Sequence, residues 1–380
     1  MTFKILKRGD LQEIVEFNQP DCVSIFMNTH RIRNERKKDH LVLKNFADNL
    51  DHCLKERGLR PPDRAKLLKP LKNILEDTMF FAYLSCGLAI YLGSDWHRIY
   101  RLPIAVGNGA WVGNELNPGP ILPYFDSGNR YFLLSLDQHG CKFYEGSTID
   151  GLFEIELTGM KEALALLELV DAEKQLQLHS TSAGGVQSHP AYHGHSDGEQ
   201  HETRIKEYFK AVSNILRAEL RQESAPLVLA GVDYLHPIYK EVNQYRHLCR
   251  EHITGNVKDL DEKGLRELAL KTIQPVFDQD RIEIKSRFHE AKKAGRVADG
   301  TRACKQAALE GRVETLLCLR PEIGDGDTAT IRQVDTIEER QIAEIALNTL
   351  GGGGRLVFVD EQIEGGVEPV AILKGDSRKR

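Results

Sequence analysis

Short apolar runs alternate along this chain with amphipathic segments, and this alternation favours an α/β fold. Strand-like runs occur at residues 22–30 and 226–232, and each is followed by residues with helical hydrophobic spacing. The clearest amphipathic helix precedes the second run, with Ile205, Phe209 and Val212 on one face. Near the C terminus the runs VETLLCL, RLVFVD and VAILK again alternate with helical stretches. We therefore predict mixed sheets flanked by helices.

Composition narrows the class of protein. With 41% hydrophobic and 28% charged residues, the 380-residue chain is typical of a globular protein of two or three domains. The net charge of -5 creates no global basic field, so we expect no DNA binding, and RNA contact only through a local patch. An apolar run of about 18 residues is absent, so we expect no membrane span. The seven cysteines form no CxxC pair and favour free thiols in a cytoplasmic protein.

The order of elements predicts three domains. We expect an N-terminal α/β domain over 1–125, a central domain over 126–258 and a C-terminal α/β domain over 259–380. Stretch 107–129 is dense in Gly, Asn and Pro and predicts a linker. One helix is predicted over 236–252, and a longer one over 265–294 that Pro275 ends or kinks.

A polar stretch, SAGGVQSHPAYHGHSDGEQH (182–201), lies within a predicted mobile loop over 180–202. Imidazoles two residues apart can reach one ion, and imidazole with carboxylate suits zinc. The candidate ligands are His189, His193, His195 and His201, with Asp197 as a carboxylate. The alternative is a flexible polar loop with solvated histidines and no cofactor, because Gly and Ser provide little rigid support.

Two further groups of residues are candidates for binding. The first is a basic run in the N-terminal segment, suited to RNA phosphates and consisting of Arg31, Arg33, Arg36, Lys37 and Lys38. The alternative to RNA binding is that these residues form a solvated loop and the start of a helix. The second group, Asp233, Tyr234 and His236, follows the 226–232 strand and could line a site at the strand's end or simply begin a helix.

Three stretches carry a resemblance to a known family: PLVLAGVDYLHPIY, EGRVETLL and NTLGGGGRLVFVDEQIEGGVEPVAILK. In this order they resemble the bacterial archaeo-eukaryotic release factor family, subgroup three, which is related to class-1 release factors and Pelota. The resemblance implies three domains, a loop before the long central helix, and a C-terminal domain similar to RNA-binding ribosomal proteins. It also implies the ribosome, with rRNA or tRNA, as partner, and a delivery GTPase as a further candidate.

Release factors carry His-Gly and then Gly-Gly-Gln in that loop, where the motif promotes hydrolysis of peptidyl-tRNA. Here the near matches are Gly184-Gly185-Val186-Gln187 and, after His193-Gly194, Gly198-Glu199-Gln200. Val186 resists the positive φ angles that glycine allows, and Glu199 adds a charge that RNA phosphates repel. Gln187 and Gln200 remain the candidates for hydrolysis. We expect RNA contact rather than catalysis from the loop, through Gly184, Gly185, His193, Gly194 and His195.

Decoding is not expected, because the Asn-Ile-Lys-Ser motif with which release factors read stop codons is absent. The sequence thus predicts a ribosome-associated factor without stop-codon reading, acting in rescue, stress or hibernation. Two alternatives stay open: a codon-independent peptidyl-tRNA hydrolase, and a metal- or small-molecule-binding protein that kept the fold. The oligomeric state is not predicted.

Overall fold

The computed structural model describes residues 5–30, 35–77, 79–84, 86–137, 139–149, 151–165, 194–258, 260–321, 331–332, 337–361 and 369–375. Its helices are α1 Arg8–Glu16, α2 Arg36–Glu56, α3 Pro61–Leu67, α4 Lys69–Glu76, α5 Gly194–Glu219, α6 Leu235–Val242, α7 Glu262–Lys293, α8 Gly300–Leu309 and α9 Ile337–Gly351. Its strands are β1 Asn18–Asn28, β2 Gly87–Leu92, β3 His97–Leu102, β4 Gly109–Glu115, β5 Arg130–Ser135, β6 Lys142–Ser147, β7 Leu152–Ile155, β8 Leu227–Gly231, β9 Leu248–Thr254, β10 Val297–Asp299, β11 Val313–Leu319, β12 Ile331–Arg332, β13 Arg355–Val359 and β14 Val370–Leu373. Short 3₁₀ turns cover Phe80–Tyr83 and Gly119–Phe125.

Contacts group the chain into two compact units. The flanking unit contains residues 1–130, 146–153 and 274–380, and the central unit contains 131–145 and 154–273. The chain therefore leaves the flanking unit twice and returns twice, and the second excursion, 154–273, builds most of the central unit. The predicted mixed sheets flanked by helices are confirmed, since three sheets are present. The predicted domain boundaries near residues 126 and 259 stay a prediction about which parts fold independently.

The first sheet of the flanking unit has the order β12-β4-β1-β2-β3. Strand β1 is antiparallel to both β2 and β4, so it lies in the interior of the sheet. Its alternate residues Val23, Ile25 and Met27 are fully buried in the same cluster as Leu43 and Phe46 of α2. The apolar residues that follow β1 at helical spacing are thus the residues with which α2 covers this sheet. Leu41 is an exception, since it is 56% exposed.

The second sheet of the flanking unit has the order β10-β14-β11-β13, with β11 and β13 parallel. The second half of α7 covers it, with Ile284, Phe288 and Ala291 buried in one cluster with residues of β11, β13 and β14. Helix α7 continues through Pro275, where the sequence predicted an end or a kink. The carbonyl that loses its helical partner is that of Lys271, and because Lys271 is exposed, water can satisfy it.

Stretch 107–129 is not the linker that its Gly, Asn and Pro content predicted. It contains β4, which pairs through Ala110 and Val112 with Ile25 and Val23 of β1. It then forms the buried turn Gly119–Phe125. Glycine and asparagine obscured the strand, although Ala110 and Val112 are two residues apart and both buried, as one face of a paired strand requires.

Asp126, at the end of this stretch, joins the first half of the flanking unit to its C-terminal sheet. Its side chain is 1% exposed and accepts hydrogen bonds from Gly128 N (2.9 Å), Asn129 Nδ2 (2.5 Å) and Arg320 (3.0 Å). Burial raises the pKa of this carboxyl, against the lowering effect of those bonds. Ser127 continues the connection by donating from its backbone N–H to Leu356 O at 3.0 Å.

The third sheet has the order β7-β6-β5-β8-β9 and lies mostly in the central unit. Helix α5 packs there through Ile205, Phe209, Val212 and Leu216, which are all buried. The predicted helix over 236–252 is only partly correct. It ends at Val242, Asn243 bonds to Tyr245 through both side-chain amide atoms, and the chain then forms β9. Among the described residues, no helix is long and apolar enough to cross a membrane.

Candidate functional site

Three parallel strands of the central unit end at one edge of their sheet. Strand β5 pairs with β8 up to Ser135 and Ala230, and β8 pairs with β9 up to Gly231 and Thr254. In open α/β sheets, ligands bind outside the carboxyl ends of the strands. A cavity of about 210 Å³ lies at this edge, and we call it the edge pocket.

Glycine shapes the floor of the edge pocket. A Cβ on Gly231 would lie 2.8 Å from the carbonyl oxygen of Leu136, so only glycine lets β5 and β8 end this close together. Gly255 has a φ of +126° and donates its N–H to Gly231 O at 3.0 Å. These contacts turn the chain after β9 back over the pocket.

Polar side chains around the edge pocket come mostly from the segments after β5, β8 and β9. Asp137 Oδ1 accepts the backbone N–H of His139 at 2.7 Å, and its Oδ2 lies 3.6 Å from Lys258 Nζ. Asn256 and the half-exposed Tyr234 also line the pocket, as do Ser135 and His139. The pocket thus offers a carboxylate, an ammonium, an amide and a phenol, groups that suit hydrogen bonding to a polar ligand.

His236 lies beneath the same strand end, with 1% of its surface exposed. Its Nε2 lies 3.0 Å from Gly231 O, and because a carbonyl only accepts, Nε2 carries the proton. Its ring lies 4.2 Å from that of His252. Burial lowers the pKa of His236, so the ring is kept neutral and supports the strand end rather than acting as a cation.

The sequence-predicted loop falls partly outside the described residues. Gly184, Gly185, Gln187, His189 and His193 lie there. The rest of the predicted loop is helical: α5 begins at Gly194, so His195, Asp197, Gln200 and His201 lie on helical backbone. The prediction that the loop extends to residue 202 is therefore wrong, because the amphipathic pattern starting at Ile205 is preceded by further helical turns.

Helical geometry separates two of the predicted metal ligands. Positions 195 and 201 are six residues apart, which places them about 120° apart around the axis of α5. Within the described ranges, no group of three or more His, Cys, Asp or Glu side chains is placed to hold a metal ion. A zinc site that includes His189 and His193 stays a prediction.

The basic run is only partly described, since Arg31 and Arg33 lie outside the described residues. Arg36, Lys37 and Lys38 form the first turn of α2, where Arg36 is half-buried and both lysines are exposed. Just before the run, His30 binds Asp39 through its N–H (2.8 Å) and its Nδ1 (2.7 Å). This pair links the two ends of the basic run and orients the start of α2.

Sequence reasoning identified Tyr234 and His236 but missed Asp137, Asn256 and Lys258. The helix predicted over 236–252 includes most of β9, so the sequence does not indicate that Asn256 and Lys258 follow a strand. The signal was the Thr254-Gly255-Asn256 sequence, which is typical of a turn that ends a strand.

The central segment defines the class of protein that this chain resembles. Residues 131–275 match the model of bacterial archaeo-eukaryotic release factor family 7. The resemblance to bacterial archaeo-eukaryotic release factors is thereby supported for this segment, while subgroup three is not confirmed. No curated protein matches the chain.

Translation factors are among the solved structures to which the chain shows similarity, at low identity. An archaeal translation termination factor, aRF1, is 13% identical, with 97% of this chain and 98% of that chain covered and a TM-score of 0.28. Dom34 of S. cerevisiae, a translation termination-like factor, is 11% identical over 76% and 73%, with a TM-score of 0.37. Pelota of Archaeoglobus fulgidus is 10% identical over 100% and 95%, with a TM-score of 0.24.

Proposed function

We propose that this protein is a cytoplasmic, ribosome-associated factor of the release-factor type that contacts RNA without reading stop codons. The observation that carries the proposal is the match of residues 131–275 to a release factor family. That segment contains the whole of α5 and the edge pocket. The role we propose is in ribosome rescue, stress or hibernation, with rRNA or tRNA as the contacted molecule.

Helix α5 supports the proposal by its geometry. Among the residues of α5 whose burial the structure describes, which start at His201, the first buried one is Ile205, eleven residues after the helix begins at Gly194. At about 1.5 Å per residue, the helix therefore starts about 16 Å before this anchor. His201, Glu202 and Thr203, in the intervening turns, are exposed. A rigid helical stem of this kind suits the presentation of the preceding Gly- and His-rich segment to a large partner.

Contact rather than hydrolysis is the activity we propose for that segment. Gln200 lies on the helical backbone of α5, where it lacks the freedom that glycine-flanked positions have. Gln187 follows Val186, which resists positive φ. Hydrolysis through Gln187 is therefore the remaining enzymatic alternative.

Co-sedimentation tests the association. Purified protein is mixed with ribosomes, pelleted through sucrose and quantified at rising salt. We expect binding that weakens steeply with salt, because phosphate contacts release counterions. Absence of binding in lysates of both growing and starved cells would refute the proposal. A non-hydrolysable GTP analogue in the same lysates tests the proposed delivery GTPase, which should then stay on the ribosome with the factor.

Peptide release separates a contact role from an enzymatic one. Ribosomes carrying labelled peptidyl-tRNA are incubated with wild type, Gln187→Ala and Gln200→Ala, with the exposed Gln222→Ala as matched control. We expect no release from any of them. Release by wild type and Gln222→Ala that either test substitution abolishes would make the protein a peptidyl-tRNA hydrolase.

A further inference from the structure

The flanking unit contains a second cavity, of about 250 Å³, that the proposed function does not use. It lies where the parallel strands β11 and β13 end, beside the first turn of α9. Its walls are largely apolar and include Ile104, Val106, Trp111, Leu122, Ile342 and Phe358. We call it the flanking cavity. Apolar walls with a few polar groups are typical of small-molecule sites.

Glu339, in the first turn of α9, provides a polar group in this apolar wall. Its Oε2 is buried and has no hydrogen-bond partner among the described residues. Its Cβ and Cδ lie 3.1 Å from where a Cβ on Gly119 would be, so glycine at 119 leaves room for this side chain. A carboxylate with one oxygen buried without a donor is costly to the folded protein, and because Glu339 lines the cavity, a ligand that donates hydrogen bonds to this carboxylate would offset that cost.

Trp111 offers an aromatic surface in the same cavity. A Cβ on Gly109 would lie 2.7 Å from the indole, so glycine again leaves the room that the ring occupies. The indole also contacts the ring of Phe26 edge-on, with ring centroids 5.3 Å apart and an interplanar angle of 76°. These contacts fix the ring in one orientation, as a stacking surface requires.

The cationic residues around the flanking cavity already have partners. Arg320 donates to Asp126 and Asp360, each at 3.0 Å. Buried Arg130 donates to Tyr124 Oη at 2.8 Å and packs 4.2 Å above its ring. The polar group that awaits a partner is thus an acceptor, which favours a ligand with N–H donors over a phosphate or carboxylate.

We infer that the flanking cavity binds a guanine-type base, with its N–H edge toward Glu339 and its face against apolar walls that include Trp111. The cavity volume of about 250 Å³ lies just below the roughly 300–1,000 Å³ of drug-sized ligand sites, which suits a ligand as small as a purine base. Carboxylates accept N–H donors of base edges, and aromatic rings stack on base faces. Guanine presents two adjacent N–H donors, whereas adenine and cytosine each present one amino group. The inference does not depend on ribosome association.

Two sources could supply such a base: a free nucleoside or an unpaired guanosine in RNA. The free-nucleoside arm uses guanosine and follows Trp111 fluorescence in a Trp96→Phe background, since the chain has two tryptophans. The RNA arm compares a uridine heptamer carrying one central guanosine with the all-uridine heptamer. Binding in either arm supports the site and identifies its source.

Glu339→Gln is the central variant, and the neighbouring exposed Glu338→Gln is its matched control. We expect Glu339→Gln to weaken guanosine binding about tenfold or more, and Glu338→Gln to leave it unchanged. The Tm of Glu339→Gln should equal or exceed that of wild type, because the substitution removes the negative charge from a side chain whose Oε2 is buried without a donor. Inosine, which lacks the 2-amino group, should bind more weakly than guanosine.

Gly119→Ala gives a second, independent test, since it displaces the Glu339 side chain and should also weaken binding. Lack of binding of both guanosine at millimolar concentration and the guanosine-containing heptamer would overturn the inference. Equal binding of adenosine and guanosine that Glu339→Gln leaves unchanged would overturn it as well.

Discussion

Lys37 and Lys38 occupy the second and third positions of α2, where the unpaired N–H groups of a helix start create a positive potential. Two exposed ammonium groups at these positions oppose the helix dipole, and each costs roughly 0.3–1 kcal/mol. Replacing both with glutamate removes that cost and adds favourable terms, so we expect a gain of about 1 kcal/mol or more. For a unit of this size the gain corresponds to about 2–4 °C in Tm. If these lysines bind RNA phosphates, the same variant should bind ribosomes more weakly.

Thermal unfolding and ribosome co-sedimentation are measured on Lys37→Glu/Lys38→Glu and on a control with the same charge change in the same unit, Lys44→Glu/Lys285→Glu. The control lysines are exposed and lie in the interiors of α2 and α7. We expect the test variant alone to combine a higher Tm with a salt dependence reduced by about one to two phosphate contacts. A lower Tm would refute the helix-dipole reasoning, and ribosome binding equal to that of the control would place the RNA contact elsewhere.

Two further predictions concern pH. Burial raises the pKa of Asp126, so the folded state holds this proton more tightly than the unfolded state, and that stability is lost as pH rises through the raised pKa. In urea titrations, the unfolding free energy of wild type minus that of Asp126→Asn should fall from pH 4 to 7; a constant difference would contradict the assignment. Burial lowers the pKa of His236, so its contribution is present above about pH 6.5 and lost as pH falls. In His236→Asn the unfolding free energy of the central unit should therefore fall less steeply at acid pH than in wild type. An unchanged pH dependence would show that other groups determine this fall.

Much of the fold follows from hydrophobic spacing that the sequence shows directly. With the exception of Leu41, strand β1 and helices α2 and α5 bury the apolar residues of their patterns, because period and burial agree over long segments. Strand β4 was missed because its residues Gly109 and Gly113 suggest a turn, and its strand structure depends on pairing with β1, distant in sequence. Tertiary pairing of this kind overrides local composition.

The edge pocket could be predicted only in part. Tyr234 and His236 follow an apolar run that is typical of a buried strand, so the sequence predicts their position at a strand end. Asp137 and Lys258 approach one another only because β5 and β9 are parallel and end at the same edge. Glu339 and Trp111 are more than two hundred residues apart, and neither stretch carries a motif that relates them.

The return of the chain to the flanking unit has a consequence for biosynthesis. Strand β12 joins the first sheet by pairing in parallel with β4, and Arg340 of α9 donates to Val15 O at 2.7 Å. A growing chain emerges N terminus first, at about 5–20 residues per second. The N-terminal sheet must therefore wait more than ten seconds after its own synthesis for its last strand, with β4 as an exposed edge. The central unit, complete by residue 273, can fold during that delay. Nascent chains arrested after residue 300 should thus protect the central unit from protease before the flanking unit.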